Sequence, residues 1–261
     1  MVPRRCSGVR VALCAGVRLV AVAALFAVGC TDSVDIEPYL DLEKADGEPA
    51  HLRLVHRLAL DVEEPSDLVS VNGLLYAVSD SHGKIYAVTA AGNAHEFLDI
   101  KGDDLEAIGY VRNELVVGEE STGTIWHIDA TGDRHDPIAL PDARDSNSGL
   151  EGLVGTPGGH LFAIKEKDPA RIYELDATGG VLRDERVDIA RDLSAISYNP
   201  RDRRLYVLSD EDATLFRLTH DFRADRAWKL PVTNPEGLAF DGSSIYIVSD
   251  SEARIYTFAF E

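Results

Sequence analysis

The phrase Asn234-Pro235-Glu236-Gly237-Leu238 stands near the end of the chain, and related phrases occur four times before it. The earlier copies are Glu64-Pro65-Ser66-Asp67-Leu68, Asp104-Leu105-Glu106-Ala107-Ile108, Gly149-Leu150-Glu151-Gly152-Leu153 and Asp192-Leu193-Ser194-Ala195-Ile196. Their closing residues lie at positions 68, 108, 153, 196 and 238, so successive copies are 40, 45, 43 and 42 residues apart. A regular spacing of this size indicates a repeat architecture.

Two further phrases follow every copy. The first is an apolar run that ends in a pair of mostly polar residues, at positions 75–80, 115–120, 161–166, 205–210 and 245–250. The second is an aliphatic residue followed by an aromatic one: Ile85-Tyr86, Ile125-Trp126, Ile172-Tyr173, Leu215-Phe216 and Ile255-Tyr256. We predict that these aromatic residues pack between repeat units and do not form a ligand platform.

The apolar runs within each unit predict strands. They are short, rich in Val, Ile, Leu and Tyr, and separated by turn formers such as Asn72-Gly73 and Asp241-Gly242, with no sustained helical periodicity. Four antiparallel strands in about 40 residues are typical of a propeller blade. The five units therefore predict an all-β, five-bladed β-propeller. Residues 51–60 precede the first phrase, and this N-terminal strand should complete the last blade and remove both exposed edges.

The beginning of the chain predicts export. Residues 1–29 carry four arginines and no acid, and they include an apolar run too short for a transmembrane helix, which is the pattern of a signal peptide. The stretch Ala27-Val28-Gly29-Cys30 resembles a bacterial lipobox, although Ala27 replaces the usual Leu. We predict lipid attachment at Cys30, an acidic flexible tether over residues 30–50 and the propeller domain over 51–261. The alternative is an ordinary signal peptide with an incidental cysteine.

Charge and cysteine content restrict the function classes. The formal charge is −19, and removal of the four leader arginines would make it −23. Such a charge argues against nucleic acid and anionic membrane surfaces as partners, and favours cations or simple solubility. All three cysteines lie within the first 30 residues, so the mature domain has no disulfide or thiol ligand. We expect a monomer in the cell envelope, anchored outside the cytoplasm on the periplasmic side of the outer membrane if the host is Gram-negative.

The candidate site follows from strand order. In an antiparallel blade, the first strand starts at the rim where the second strand ends. The third residues of the phrases, which should form a ring on the axis, are Ser66, Glu106, Glu151, Ser194 and Glu236. The rim residues contributed by the second strands and the adjacent turn are Asp80, Glu120, Lys165, Glu166, Asp210, Asp250 and His82. Converging carboxylates repel one another unless they are protonated or share a cation.

The ligand types favour a hard cation. Oxygen donors without His or Cys clusters suit calcium or magnesium better than zinc or copper, and we predict calcium before magnesium. Alternatively, the Glu and Ser side chains accept hydrogen bonds from neighbouring backbone amides, with no ion present. Lys165 is interpreted as an ion partner of Glu151 or Glu166. His82 is a rim candidate whose simpler interpretation is a solvated turn histidine.

These phrases resemble the SdiA-regulated family of bacterial extracytoplasmic propellers. The residues that carry the resemblance are Asp104-Leu105-Glu106-Ala107-Ile108, Glu119-Glu120, Leu150-Glu151-Gly152-Leu153, Asp192-Leu193-Ser194, Leu208-Ser209-Asp210 and Pro235-Glu236-Gly237-Leu238-Ala239. NHL-repeat and phytase-esterase-like propellers use similar phrases. The resemblance implies a propeller with its site at Glu106, Glu151, Ser194 and Glu236, and it supplies no reaction. Ser66 departs from the acidic residue at that position.

Three functions fit these observations. The first is a non-catalytic, lipid-anchored propeller that binds a divalent cation, and a small or peptide ligand, at its acidic mouth. The second is a metal-dependent hydrolase of an ester, lactone or phosphoester, in which Glu106, Glu151 and Glu236 hold the metal. The third is a scaffold that uses exposed apolar faces of its blades.

Overall fold

The computed structural model of the protein describes residues 51–89, 91–102, 104–145 and 148–261, together with the backbone of residues 34–36 and 40–41. In these residues all regular structure is β, arranged in five antiparallel sheets. None of the described residues belongs to a helix with the length and hydrophobicity needed to cross a lipid bilayer. The predicted signal peptide and the predicted lipid attachment site, Cys30, lie outside the described residues.

The strands follow the repeat in order. Three strands precede the first phrase: β1 (Val34–Ile36), β2 (Leu40–Asp41) and β3 (Leu52–Ala59). Blade 1 contains β4 (Pro65–Val71), β5 (Leu74–Ser79), β6 (His82–Val88) and β7 (Ala94–Asp99), and blade 2 contains β8 (Leu105–Val111), β9 (Glu114–Glu119), β10 (Thr124–Ile128) and β11 (Arg134–Ala139). Blade 3 contains β12 (Leu150–Gly155), β13 (Leu161–Lys165), β14 (Arg171–Leu175) and β15 (Val181–Arg186). Blade 4 contains β16 (Ala195–Asn199), β17 (Arg204–Ser209), β18 (Thr214–Leu218) and β19 (Ala224–Lys229), and blade 5 contains β20 (Pro235–Asp241), β21 (Ser244–Ser249) and β22 (Arg254–Phe260).

The N-terminal strand closes the ring, as predicted. Strand β3 pairs antiparallel with β22 and becomes the fourth strand of blade 5. The backbones of His51 and Glu261 exchange hydrogen bonds of 3.3 and 2.9 Å at the end of this pairing. The innermost strands β4, β8, β12, β16 and β20 each contact the next one, and β20 contacts β4. The first blade and the last blade are therefore neighbours in a closed circle of five.

Two short strands from the predicted tether extend the outer edges of two blades. Strand β1 pairs with β3 in blade 5, and β2 pairs with β19 in blade 4. Added strands of this kind cover backbone groups that an outer edge would otherwise expose. Part of the segment that the sequence predicts to be a flexible tether thus has regular backbone pairing in the structure.

The core lies between blades, in five apolar clusters that each join two adjacent blades. The aliphatic-aromatic steps show how one strand contributes side chains to the clusters on both faces of its blade. Because successive strand residues point to opposite faces, Ile172 faces blade 4 while Tyr173 faces blade 2. Likewise Leu215 faces blade 5 and Phe216 faces blade 3. The prediction that these aromatic residues pack between units is confirmed.

Candidate functional site

β-bulges place the third residue of the phrase. The pairing of the first and second strands shifts register at this residue in four blades, at Ser66, Glu106, Glu151 and Glu236. A bulge leaves one residue unpaired and re-aims its side chain. In blade 4, Ser194 stands just before β16, and its N–H donates to the Leu208 carbonyl at 3.0 Å. The five blades therefore present these side chains from equivalent positions.

Short backbone bonds hold the second-strand ends beside the phrase. The N–H of Asp80 donates to the Glu64 carbonyl at 3.2 Å, and that of Glu166 donates to the Gly149 carbonyl at 2.9 Å. In blade 2 the N–H of Glu120 donates to the Asp104 carbonyl at 3.1 Å. These bonds keep the start of the first strand and the end of the second at one rim, as the strand order predicts.

The rim surrounds a cavity of about 350 Å³ on the propeller axis. Its lining consists of ten carboxylates and two hydroxyls: Glu64, Ser66, Asp80, Glu106, Glu120, Glu151, Glu166, Asp192, Ser194, Asp210, Glu236 and Asp250. We call this cavity the acidic mouth. All five predicted axial residues and the five predicted rim carboxylates line it. No Lys, Arg or His among the described residues does so.

Two predicted rim residues are absent from this lining. The prediction that Lys165 pairs with Glu151 or Glu166 is wrong: its buried ammonium donates to the backbone carbonyls of Ser148 and Lys167. Glu166 instead pairs with Lys167, at 2.7 Å between Nζ and Oε1. Lys165 is thus used to satisfy loop carbonyls beneath the rim. His82 begins β6, and its Nδ1 lies 2.8 Å from the Ser81 hydroxyl, beside the mouth and outside its lining.

Sequence reasoning missed two residues of the lining, Glu64 and Asp192. Both occupy the first position of the phrase, which is acidic in three copies and Asn in a fourth. That shared position was a signal available from the alignment of the repeats. Asp192 accepts hydrogen bonds from the N–H groups of Asp210 and Glu211 at 3.0 and 3.2 Å, so its carboxylate ties the second strand to the phrase.

Sequence reasoning also missed Asp67, which is fully buried next to the mouth. Its carboxylate accepts hydrogen bonds from the N–H groups of Leu68 at 2.8 Å and Ile108 at 2.9 Å, and also from that of Leu238. Blades 1, 2 and 5 are thereby joined by one side chain. Burial raises the pKa of Asp67 well above its ordinary value, against the opposing effect of these donors.

Carboxyl groups pair across blade boundaries. Asp80 hydrogen-bonds Glu106 of the next blade, and Glu120 hydrogen-bonds Glu151 of the next. Asp210 is the largest charge acting on Glu236, again from the preceding blade. We call these three pairings, two of them hydrogen-bonded and the third electrostatic, the inter-blade carboxyl pairs. At the two remaining boundaries a serine, Ser66 or Ser194, stands in the axial position.

Burial and mutual repulsion favour protonation of these groups. Burial, and after it repulsion from the Asp80 carboxylate, raises the pKa of Glu106 to about 8. Burial likewise raises the pKa of Glu236 to about 8, with Asp210 and Asp250 as the next causes. Burial raises the pKa of Glu151 well above its ordinary value, and repulsion from Glu106 and Glu120 adds to it. At neutral pH the mouth therefore holds protons, or it requires a cation in their place.

Two groups of carboxylates can share an ion. In each group one oxygen per residue lies within 4.8 Å of the others; the groups are Asp80, Asp104 and Glu106, and Glu120, Glu151 and Glu166. The predicted set of Glu106, Glu151 and Glu236 is not among the groups that meet this distance in the described residues. The sequence placed these residues in one ring, but Glu106 and Glu151 each belong to a separate group at a blade boundary, and Glu236 belongs to neither group.

The donor set fits a hard cation. Carboxylate and hydroxyl oxygens are the ligands that calcium uses, six to eight at a time, and magnesium accepts them in a smaller octahedral set. Zinc and copper sites generally include His or Cys, and neither residue lines the acidic mouth in the described part of the chain. The residues present therefore suit calcium or magnesium.

Comparison with known families agrees with the motifs. The model of the SdiA-regulated family matches residues 68–259, which include most of the propeller and four complete copies of the phrase. The chain belongs to the SdiA-regulated family. The family match covers Glu106, Glu151, Ser194 and Glu236, while Ser66 lies before it.

Solved structures with this fold have diverse names. A gluconolactonase from Xanthomonas campestris is 13% identical, with a TM-score of 0.54 over 88% of this chain and 96% of that one. Virginiamycin B lyase from Staphylococcus aureus is 17% identical, with a TM-score of 0.51 over 80% of this chain and 73% of that one. Glutaminyl cyclase from Myxococcus xanthus is 10% identical, with a TM-score of 0.60 over 80% of this chain and 96% of that one. At these identities the likeness establishes the propeller fold alone.

Proposed function

We propose that the protein is an envelope propeller that binds a divalent cation, calcium in preference to magnesium, in its acidic mouth. The observation that carries the proposal is the lining of ten carboxylates with no cationic side chain among the described residues. A site of this composition is costly to keep ionised without a counter-charge. A cation shared by an inter-blade carboxyl pair would replace the proton that the two groups otherwise share.

The best candidate ligands are the two carboxylate groups that span blade boundaries. Glu120, Glu151 and Glu166 join blades 2 and 3, and Asp80, Asp104 and Glu106 join blades 1 and 2. An ion in either position would bind two blades at once, so binding should stabilise the fold as well as fill the mouth. A small or peptide ligand with its own oxygen donors can complete the ion's coordination from the open side.

Calorimetric titration tests this proposal. Calcium and magnesium are titrated into the metal-free chain that begins at Thr31, and into its Glu151→Gln and Asp136→Asn variants. Asp136 is an exposed carboxylate on blade 2 and serves as the matched control. We expect saturable calcium binding in the wild type and in Asp136→Asn, with at least tenfold weaker binding in Glu151→Gln. An absence of heat and of thermal stabilisation in the wild type would refute cation binding.

A hydrolase is the second candidate, because Glu236 lies outside both cation groups and has the protonation behaviour of a general acid. With a pKa of about 8, its carboxyl holds a transferable proton near neutral pH. A divalent cation, when bound, would supply Lewis-acid polarisation of a carbonyl or phosphoryl oxygen. The chain's own residues would orient the substrate, and Glu236 Oε would carry the proton.

A substrate screen separates binding from catalysis. Model esters, lactones and phosphoesters are incubated with the calcium-loaded chain and with a Glu106→Gln, Glu151→Gln, Glu236→Gln triple variant. Turnover by the wild type that the triple variant loses would establish the hydrolase. Turnover that survives in the triple variant would place any reaction elsewhere, and no turnover favours the binding function.

The lipid anchor completes the proposal. The basic leader, the apolar run and Cys30 support export followed by acylation of the Cys30 thiol, which would hold the propeller at the cell envelope. We expect Cys30→Ala to move the protein from the membrane fraction to the soluble fraction and to remove the acyl mass. Unchanged fractionation of Cys30→Ala would contradict lipidation at this residue.

A further inference from the structure

The face opposite the acidic mouth has a different chemistry. Each innermost strand runs from the acidic mouth to this face, and its residue four positions after the axial one lines a second cavity of about 550 Å³. These residues are Ser70, Tyr110, Gly155, Tyr198 and Phe240. Two tyrosines and a phenylalanine thus surround the far end of the axis. The same innermost strands therefore present mainly carboxylates at one end of the axis and mainly aromatic rings at the other.

This aromatic cavity adjoins a second one of about 450 Å³ between blades 3 and 4. The two cavities share Thr156, Pro157, Gly158 and Tyr198 in their walls. Together they form a cleft that runs from the axis outward, and we call it the basic cleft. Pockets of several hundred Å³ with apolar walls and a few polar groups are the usual form of small-molecule sites.

The outer part of the cleft is cationic. Arg183, Arg203 and Arg204 line it with His160 and His220, and Glu174 is the single carboxylate in the described lining. His160 holds Glu174 through a contact of 2.7 Å between Nδ1 and Oε1. This concentration of positive charge lies in a chain whose formal charge is −19.

The Arg183 side chain lies over an aromatic ring, with Glu174 and Glu185 each at 3.9 Å from its guanidinium nitrogens. The Arg183 guanidinium carbon lies 4.0 Å from the centroid of the Phe222 ring, and Nη1 of Arg183 donates to the His220 carbonyl at 3.0 Å. Phe162 meets Phe222 edge-on, at 6.1 Å between ring centroids. Arg203 is exposed at the cleft and has no ion-pair partner within 4 Å among the described residues. A stacked guanidinium retains donors for an anion.

We propose that the basic cleft binds an organic anion with an apolar body, such as a medium-chain carboxylate or sulfonate. The charged head lies between Arg183 and Arg203, where each guanidinium can donate charge-assisted hydrogen bonds. The apolar body extends along Phe162 and Tyr198 toward the aromatic end of the axis. The anion is excluded from the acidic mouth by ten carboxylates, so the two ends of the propeller select ligands of opposite charge.

Direct binding of decanoate tests the inference. The chain from Thr31 is used, because the five blades close on one another within residues 52–260 and every described contact is retained. Decanoate binding is measured by calorimetry, with decan-1-ol as the uncharged match, and displacement of 8-anilinonaphthalene-1-sulfonate gives an independent fluorescence readout. The variants are Arg183→Gln, Arg203→Gln and Tyr198→Ser, with Arg57→Gln, an exposed arginine of β3 outside the cleft, as control.

We expect decanoate to bind the wild type and Arg57→Gln with equal affinity, and decan-1-ol to bind at least tenfold more weakly. Arg183→Gln and Arg203→Gln should each weaken decanoate binding about tenfold or more, in the range for loss of one charge-assisted hydrogen bond. Arg203 lies on an exposed turn, so its variant remains informative if Arg183→Gln is poorly folded. Equal binding by the arginine variants, equal binding of decan-1-ol, or no binding of decanoate would each overturn the proposal.

Discussion

The two ends of the propeller axis are built from the same five strands and have opposite chemistry. At the acidic mouth the axial residue of β8 is Glu106, and four residues later the same strand contributes Tyr110 to the opposite end. Strand β20 repeats the arrangement with Glu236 and Phe240. Midway between the axial residue and the residue four positions later, each innermost strand has a buried Leu or Ile, such as Ile108 or Leu238. The comparison shows that the fold supplies equivalent positions, while the residue at each position decides the chemical character of each end.

The largest expected effect is the pH dependence of the stability of the metal-free protein. It arises at the acidic mouth alone, where two glutamates have strongly raised pKa values. Glu106 and Glu236 have native pKa values of about 8, against 4.5 for an ordinary glutamate. Between those values the native state holds more protons than the unfolded chain. Stability contributed by these groups is therefore complete below pH 4.5 and is lost as pH rises through 8.

We expect the free energy of unfolding to fall by about 7 kcal/mol between pH 5 and pH 8 in chelator-treated protein, about half of it from each of the two glutamates. Thermal melts followed by circular dichroism across this range give the measurement. Saturating calcium should flatten the profile. A metal-free melting temperature that rises steadily from pH 5 to pH 8 would contradict the assignment of repulsion to the acidic mouth.

The next effect concerns Asp67, whose side chain joins three blades beside the acidic mouth. The equivalent residues in the other blades are Ala107, Gly152, Ala195 and Gly237, so alanine fits the position sterically. Asp67→Ala removes the acceptor of three N–H groups and should destabilise the protein by about 3 kcal/mol, since buried unsatisfied donors are costly. Urea denaturation measures the change. Ser70→Ala, near the other end of the same strand, is the control and should leave stability nearly unchanged.

Removing one carboxylate from the mouth should have a smaller effect, of opposite sign. We expect Glu106→Gln to raise the free energy of unfolding of metal-free protein at pH 8 by about 2 kcal/mol, because it ends the repulsion with Asp80. Because Glu106 belongs to one of the two cation groups, the same variant should also show reduced calcium-induced stabilisation. Thermal melts with and without calcium provide both readouts. Destabilisation of the metal-free variant would mean that the Ser66 and Asp80 hydrogen bonds outweigh the repulsion.

The smallest effect should come from the opposite end. Tyr198→Ser removes a half-buried ring from the basic cleft and should change stability by about 1 kcal/mol or less. It should leave calcium binding unchanged, because Tyr198 does not line the acidic mouth. Calorimetric titration of calcium into this variant is the check. A shift in calcium affinity beyond threefold would show that the two ends are coupled.

The repeated phrase was sufficient to predict the five blades, the closing strand and the gathering of ten predicted residues at one cavity. Periodicity determines how many units form and which strand positions share a rim, so these features follow from local pattern. It does not determine which side chains meet across a blade boundary. The pairing of Glu120 with Glu151 depends on how one blade is staggered against the next, so the predicted ring of axial glutamates missed it.

Lys165 and Asp67 are two individual residues whose contacts the repeat pattern likewise could not predict. Lys165 follows an apolar strand like its neighbours in the repeat, but a local loop turns carbonyl oxygens toward its ammonium. Asp67 reads as an exception in the phrase, and only the positions of backbone amides on blades 2 and 5 explain it. The aromatic end was accessible to sequence reasoning, since Tyr110, Tyr198 and Phe240 each follow an axial residue by four positions.

Cation binding in the acidic mouth is tested most directly by an anomalous difference map from crystals grown with calcium near neutral pH. We predict a peak within coordination distance of the carboxylates at a blade boundary, between Glu120, Glu151 and Glu166 or between Asp80, Asp104 and Glu106. A mouth without a peak at saturating calcium, with carboxyl groups in direct contact with one another, would contradict the account.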